Sequence, residues 1–205
     1  MIAVVMCGGK GTRMASSTEK SLLKLGSKTL VEHVLDALVE YGRFESITAI
    51  SSPNTPATSK FLCDHKYHTS GQMNILEGRG VNYSLDLSYI LEKIRPSPIF
   101  VVSADLPLLN SSLIHRIMAH YSPCFPCTSV VFETDLIRSL DILPSSVLTI
   151  GAKQYCHSGI LLIDSSRYKT NSGLEEYYLI INEKEIAINI NTVAELQIAE
   201  RLLYS

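Results

Sequence analysis

Along the chain, short apolar runs rich in β-branched residues alternate with stretches whose apolar residues recur every three or four positions. That is the pattern of strands joined by crossover helices. Ile2 to Met6 is uninterrupted by polar residues and predicts a buried strand. Ser21 to Leu25 reads as a short extended piece ending at Gly26. Thr29 then caps a helix carrying Leu30, Val31, Val34, Leu35 and Leu38, which stops at Gly42. Ser46 to Ser51 is a second strand. Thr55 and Pro56 open a helix through Phe61 and Leu62, because proline suits the first helical position. Met73 to Leu76 is a third strand, and Val81 to Ile94 carries Leu85, Tyr89, Leu91 and Ile94 at helical spacing. Pro96 and Pro98 end that helix before the strongest strand, Ile99 to Ser103.

The second half is more mixed. Asn110 or Ser111 caps a helix through Leu113, Ile114, Ile117 and Met118. Thr128 to Phe132, Val147 to Ile150 and Gly159 to Ile163 read as strands, Ile186 to Ile190 as the last one, and Thr192 starts a terminal helix. The expected architecture is α/β: one Rossmann-like domain over 1–205, with a mixed, mostly parallel sheet flanked by helices.

Charge narrows the possible ligands. Lys and Arg number 18 against 20 Asp and Glu, so no global basic field gathers nucleic acid or an anionic membrane. Any phosphate must be held by local positive groups. The opening apolar run is too short for a signal peptide and lacks a basic leader, and no apolar stretch is long enough for a membrane span. Five cysteines, an odd number in a chain able to build a core without staples, point to a reducing cytoplasm. Cys124 and Cys127 form a lone C-x-x-C beside two prolines and read as a plain turn. The six histidines show no metal-ligand spacing.

The chemistry concentrates after the first strand. In Cys7-Gly8-Gly9-Lys10-Gly11-Thr12-Arg13-Met14, three glycines let backbone amides approach a polyphosphate, and Lys10 and Arg13 can neutralise its oxygens. The spacing is not that of a Walker loop, and no convincing helix follows directly, as a dinucleotide site requires. Asp105 stands just beyond the strongest strand, where open α/β sheets place their ligands; a carboxylate there suits a divalent ion. The bland alternative is an Asp-x-Pro turn.

These residues resemble the G-G-x-G-T-R-[ML] signature of the nucleotidyltransferase superfamily that includes sugar-nucleotide, molybdopterin and cobinamide nucleotidylyltransferases. Glu19-Lys20 stands where the family places its second lysine. The family's usual Pro-Lys is Glu-Lys here, as in archaeal adenosylcobinamide-phosphate guanylyltransferases, which Ser52-Pro53-Asn54-Thr55-Pro56 also resembles. Further likeness lies at Gly78-Arg79-Gly80, Ser103-Ala104-Asp105-Leu106, the turn Ser158-Gly159-Ile160 and Asn189-Ile190-Asn191-Thr192. The resemblance implies transfer of GMP from GTP to a phosphorylated corrinoid, with Mg2+ on Asp105 and catalysis by Arg13, Lys20 and Asp105. It implies that Gly8, Gly9, Lys10, Gly11, Thr12, Arg13, Lys20, Ser52, Asn54, Gly80, Gly159 and Asn191 bind the nucleotide. A homodimer is common among members.

Guanine offers an acceptor at O6 and donors at N1 and N2. Ser52, Asn54 and Asp86 are candidates to read it, although a carboxylate in a first helical turn needs no ligand to explain it. Asn189 and Asn191 share strand parity, so both should face one side. His157 is the histidine placed to touch an acceptor. A phosphate-monoester acceptor is already anionic and needs no protein base, which accounts for a sequence with cations and a carboxylate but no evident nucleophile. Molybdenum-cofactor guanylyltransfer is the alternative within the chemistry, and a GTP-binding protein without turnover is the alternative outside it. A dehydrogenase is disfavoured by the loop spacing.

Overall fold

In a computed structural model, residues 1–9, 18–168 and 174–204 are described. The first half builds a parallel sheet. Strand β1 (Ile2–Met6) is followed by a 3₁₀ turn (Lys20–Leu22), a small hairpin of β2 (Lys24–Leu25) and β3 (Lys28–Thr29), helix α1 (Leu30–Tyr41) and β4 (Ser46–Ser51). Helices α2 (Pro56–Asp64) and α3 (Lys66–Thr69), strand β5 (Met73–Glu77), helix α4 (Tyr83–Lys93), strand β6 (Pro98–Ser103) and helix α5 (Ser111–Ala119) come next. The second half adds β7 (Cys127–Glu133), α6 (Thr134–Arg138), β8 (Val147–Ile150), the long β9 (Lys153–Asp164), β10 (Glu176–Ile180), α7 (Lys184–Ala187) and the terminal α8 (Val193–Leu203).

The strands β10-β7-β9-β6-β1-β4-β5 lie side by side in that order, with β8 paired to β9. β1, β4, β5 and β6 run parallel; β9 runs antiparallel between β6 and β7. A parallel strand buried on both faces must be apolar throughout, and β1 shows why. Its Ala3 and Val5 pack with α1 residues Val31, Val34, Leu35 and Leu38 and α5 residues Leu113, Ile114 and Ile117. Ile2, Val4 and Met6 face the other way, onto Ile90 and Leu91 of α4. Each such fully buried side chain contributes about 1.5–3 kcal/mol. Helix α1 begins with a capping box in which Thr29 and Glu32 satisfy each other's backbone N–H groups, and it closes at Gly42, as its sequence predicts. Among the described residues no helix is long and apolar enough to cross a membrane.

Four expectations need correction. Ser21 to Leu25 is extended only at Lys24–Leu25; the residues before it form the 3₁₀ turn. Ile186 to Ile190 is not a strand: Lys184–Ala187 is a helical turn, and the run is apolar because its side chains bury in different clusters. Burial alone does not select a conformation in so short a run. The last strand is instead Glu176–Ile180, an edge strand whose alternate residues are exposed, which weakens its apolar signal. Gly159 neither opens a strand nor sits in a turn; it lies inside β9 at a bulge, where the pairing jumps from Val130↔Ile160 to Val131↔His157.

Candidate active site

Strand order reverses at β1, which has β4 on one side and β6 on the other. In such sheets the crevice beyond the carboxyl ends of the central strands is open to a ligand. Met6 is in register with Ile50 and with Ser103, so Gly8 and Asp105 emerge side by side at this crevice. The Ala104 N–H donates to the Met6 carbonyl at 3.0 Å, locking the two exits together.

A cavity of about 390 Å³ lies on the α4 side of the crevice, lined among others by Gly8, Gly9, Asn54, Gly80, Asp86 and Asp105. Its size and mixed lining suit a nucleotide-sized ligand. Gly80 is held at φ 71°, and a Cβ there would stand 2.6 Å from Asn54 Nδ2 and 2.9 Å from Ser52 Oγ, so the turn demands glycine. Asn54 Nδ2 donates to the Gly80 carbonyl at 2.5 Å, closing the wall. Asp86, 7% exposed, accepts from the Gly80 N–H at 2.9 Å through Oδ1. No cation pairs with Asp86 among the described residues. Ser52 is buried, accepts from the Asn54 N–H through Oγ, and shapes the loop without lining the cavity.

Across Asp105 lies a second cavity of about 320 Å³, lined by residues including Ser145, Ser146, His157, Asn189, Asn191 and Glu195. Asp105 belongs to both cavities. The bulge in β9 turns His157 toward this second space, and Ser158 Oγ mends the interrupted ladder by donating to the Val130 carbonyl at 2.8 Å and accepting from the Ile160 N–H at 3.2 Å. Gly159, at φ 85°, allows Asn189 and Ser103 to close in: an added Cβ would lie 3.3 Å from Asn189 Nδ2. Asn189 and Asn191 share this side, as parity predicts, although the segment is not a strand.

Lys20 meets Asp105 where the cavities join. Its Nζ donates to Asp105 Oδ2 and, at 2.8 Å, to Asn191 Oδ1. The two side chains are 12% and 14% exposed, so solvent screens the pair weakly. Asp105 Oδ1 is buried without a hydrogen-bond partner, which leaves lone pairs unused at the junction. Burial, with the negative charge of Asp105 adding to it, pushes the nearby Cys7 thiol up to about 12, so Cys7 is no nucleophile at neutral pH. Of the residues singled out in the sequence, Gly8, Gly9, Asn54, Gly80 and Asp105 line the first cavity; Asn191 lines the second, and Lys20 bridges to it. Lys10, Gly11, Thr12 and Arg13 lie outside the described residues.

Sequence reasoning passed over Ser145, Ser146 and Glu195, which line the second cavity. Only Glu195 had a signal, its place three residues after Thr192. Its Oε2 accepts from the Asn191 and Thr192 N–H groups at 2.5 and 2.7 Å, which starts α8 and holds the asparagine backbone.

A glycine crevice beside a strand-end carboxylate, with a lysine drawn onto it, is the equipment of an enzyme that handles nucleotide phosphates. The chain belongs to the MobA-like NTP transferase domain family, which matches residues 3–148. Among characterised proteins it is similar to the adenosylcobinamide-phosphate guanylyltransferase of Methanocaldococcus jannaschii, with 28% identity over 99% of this chain and 97% of that one. It is also similar to the bifunctional protein GlmU of Staphylococcus carnosus, at 27% identity over 58% of this chain and 25% of that one. Two solved structures share the fold. A putative glucose-1-phosphate thymidylyltransferase from Bacillus anthracis has a TM-score of 0.69 at 14% identity, covering 98% of this chain and 95% of that one. The 4-diphosphocytidyl-2C-methyl-D-erythritol synthase from Anaerococcus prevotii has a TM-score of 0.66 at 11% identity, covering 100% and 98%.

Proposed function

We propose that this nucleotidyltransferase moves GMP from GTP to adenosylcobinamide phosphate, giving adenosylcobinamide-GDP and pyrophosphate. The observation that carries the chemistry is the junction of two cavities at Asp105, with Lys20 bonded there. Support for the acceptor is the near full-length likeness to the archaeal corrinoid enzyme.

GTP occupies the cavity beside Gly8 and Gly80, with its phosphates toward Asp105. Asp86, an acceptor with no cationic partner, takes the guanine N1 and N2 donors, which adenine does not present in that arrangement. The corrinoid phosphate enters from the His157 side. One of its anionic oxygens attacks the α-phosphorus; a new O–P bond forms as the bond to the β-phosphate oxygen breaks and pyrophosphate leaves. Lys20 follows the charge on the α-phosphate, and Lys10 and Arg13 hold the departing pyrophosphate. No side chain needs to remove a proton, since the attacking oxygen carries its charge already.

The donor set fits Mg2+: Asp105, whose Oδ1 is unpartnered, and Asn191 Oδ1 are hard oxygen ligands converging on one point. Bound there, the ion would supply charge neutralisation to the phosphates. We also read 1–205 as one domain acting in the cytoplasm, where its five thiols stay reduced. Exposed Tyr178 and Ile180 on edge strand β10 favour pairing of two copies.

Pyrophosphate release tests the reading. GTP, ATP and CTP are each incubated with adenosylcobinamide phosphate or molybdopterin. Release from GTP alone, and with the corrinoid alone, is expected. GTP binding without release under any pairing would make the chain a binding protein and sink the proposal.

A further inference from the structure

The N-terminus of α2 is satisfied from an unexpected place. The first turn of a helix leaves N–H groups that a capping side chain usually accepts. Thr55 stands at the cap position but makes no such bond; its Oγ1 donates back to the Ser52 carbonyl at 3.2 Å. The Ala57 and Thr58 N–H groups donate instead to Glu19 Oε1 and Oε2, at 2.9 and 2.6 Å, from 38 and 39 residues upstream. A carboxylate is favoured at that end of a helix. Glu19 forms no ion pair among the described residues, so it leaves its neighbour Lys20 free to bond Asp105 and Asn191.

Lys20 is thus tethered on both sides. Ser21, 5% exposed, donates through Oγ to the Cys7 carbonyl at 3.0 Å, tying the following residue to the end of β1. Glu19 ties the preceding residue to α2. A lysine has four rotatable side-chain bonds, so its ammonium is placed well only if its backbone is placed well.

We propose that Glu19 is a positioning residue of the transfer reaction: by capping α2 it fixes the backbone of Lys20 and holds the ammonium at the junction of the two cavities. The inference rests on the reaction proposed above and adds what holds its lysine. It also accounts for Glu-Lys in place of Pro-Lys, since a proline at 19 has no carboxylate to give to α2. The Ser52-to-Thr55 loop leads into the same helix, so the nucleotide wall and Lys20 share one anchor.

Glu19→Ala and Glu19→Gln test this, with two readouts besides melting temperature. In steady-state pyrophosphate release, Glu19→Ala should lower kcat about tenfold or more while KM for GTP moves less than about threefold, because a small misplacement of a reacting group acts on the transition state. Glu19→Gln, which keeps one accepting oxygen, should fall between, and it carries the test if the alanine variant does not fold. Independently of turnover, Lys20 acylation by an amine reagent, read by mass spectrometry against exposed Lys28, should rise at least about threefold in Glu19→Ala as the ammonium leaves its partners. A lower melting temperature with kcat and Lys20 labelling both unchanged would reduce Glu19 to a helix cap and overturn the proposal. If the wild type releases no pyrophosphate, the assigned reaction fails, and the labelling still decides whether Glu19 holds Lys20.

Discussion

The two sides of Asp105 are built differently. On the Gly8 side, the lining residues come from the carboxyl ends of parallel strands or from what directly follows them: Met6, Gly8, Ile50, Gly80, Ser103. On the His157 side, they come from a bulged antiparallel strand, from the segment before α8, and from a loop in which Asp141 and Ser146 hold positive φ of 59° and 52° without being glycine. The first side is what parallel topology provides wherever strand order reverses. The second spends backbone strain, about 1–3 kcal/mol per residue, on a particular shape. Generic phosphate handling therefore belongs to the first side and choice of acceptor to the second.

That division is most sharply tested at the junction. Lys20→Ala and Asp105→Asn should each reduce pyrophosphate release by about a hundredfold or more, since charge at the reacting phosphate is worth that much. Loss of GTP binding with an unchanged kcat would instead make them binding residues of one side only. Gly80→Ala comes next: its methyl displaces Asn54 and Ser52, and GTP affinity by calorimetry should fall about tenfold, from 1–3 kcal/mol of strain. The acceptor KM should not move; if it does, the sides are mechanically coupled. His157→Ala is the converse, raising the acceptor KM up to about tenfold through loss of one polar contact to a charged group, with GTP affinity intact. Smallest is Thr29→Ala, which removes the α1 cap behind the parallel sheet and should cost about 1 kcal/mol in denaturant unfolding while sparing kcat. A drop in kcat there would show that scaffold and site are not separable.

The parallel half was readable because its signals are local. β4 falls at Ser46–Ser51 as read, and α1 between Thr29 and Gly42, since apolar runs, caps and prolines act over a few residues. Gly8 and Asp105 could be proposed as partners because each ends a buried strand, and adjacent parallel strands deliver such ends to one crevice. Less of the antiparallel half was legible. An edge strand with half its residues in water, such as Glu176–Ile180, has little apolar pattern, and a bulge at Ser158 and Gly159 looks like a strand boundary.

By itself, then, the order of residues determined the central strands, the glycine crevice and the presence of a lysine and an aspartate suited to phosphate. Tertiary structure alone decided that Lys20 reaches Asn191, 171 positions away, that Asp105 separates two cavities, and that Glu19 caps a helix far along the chain. The physical reason is range: hydrogen bonding along a strand or helix is written in neighbouring residues, whereas side chains from distant segments meet only after the sheet order is set.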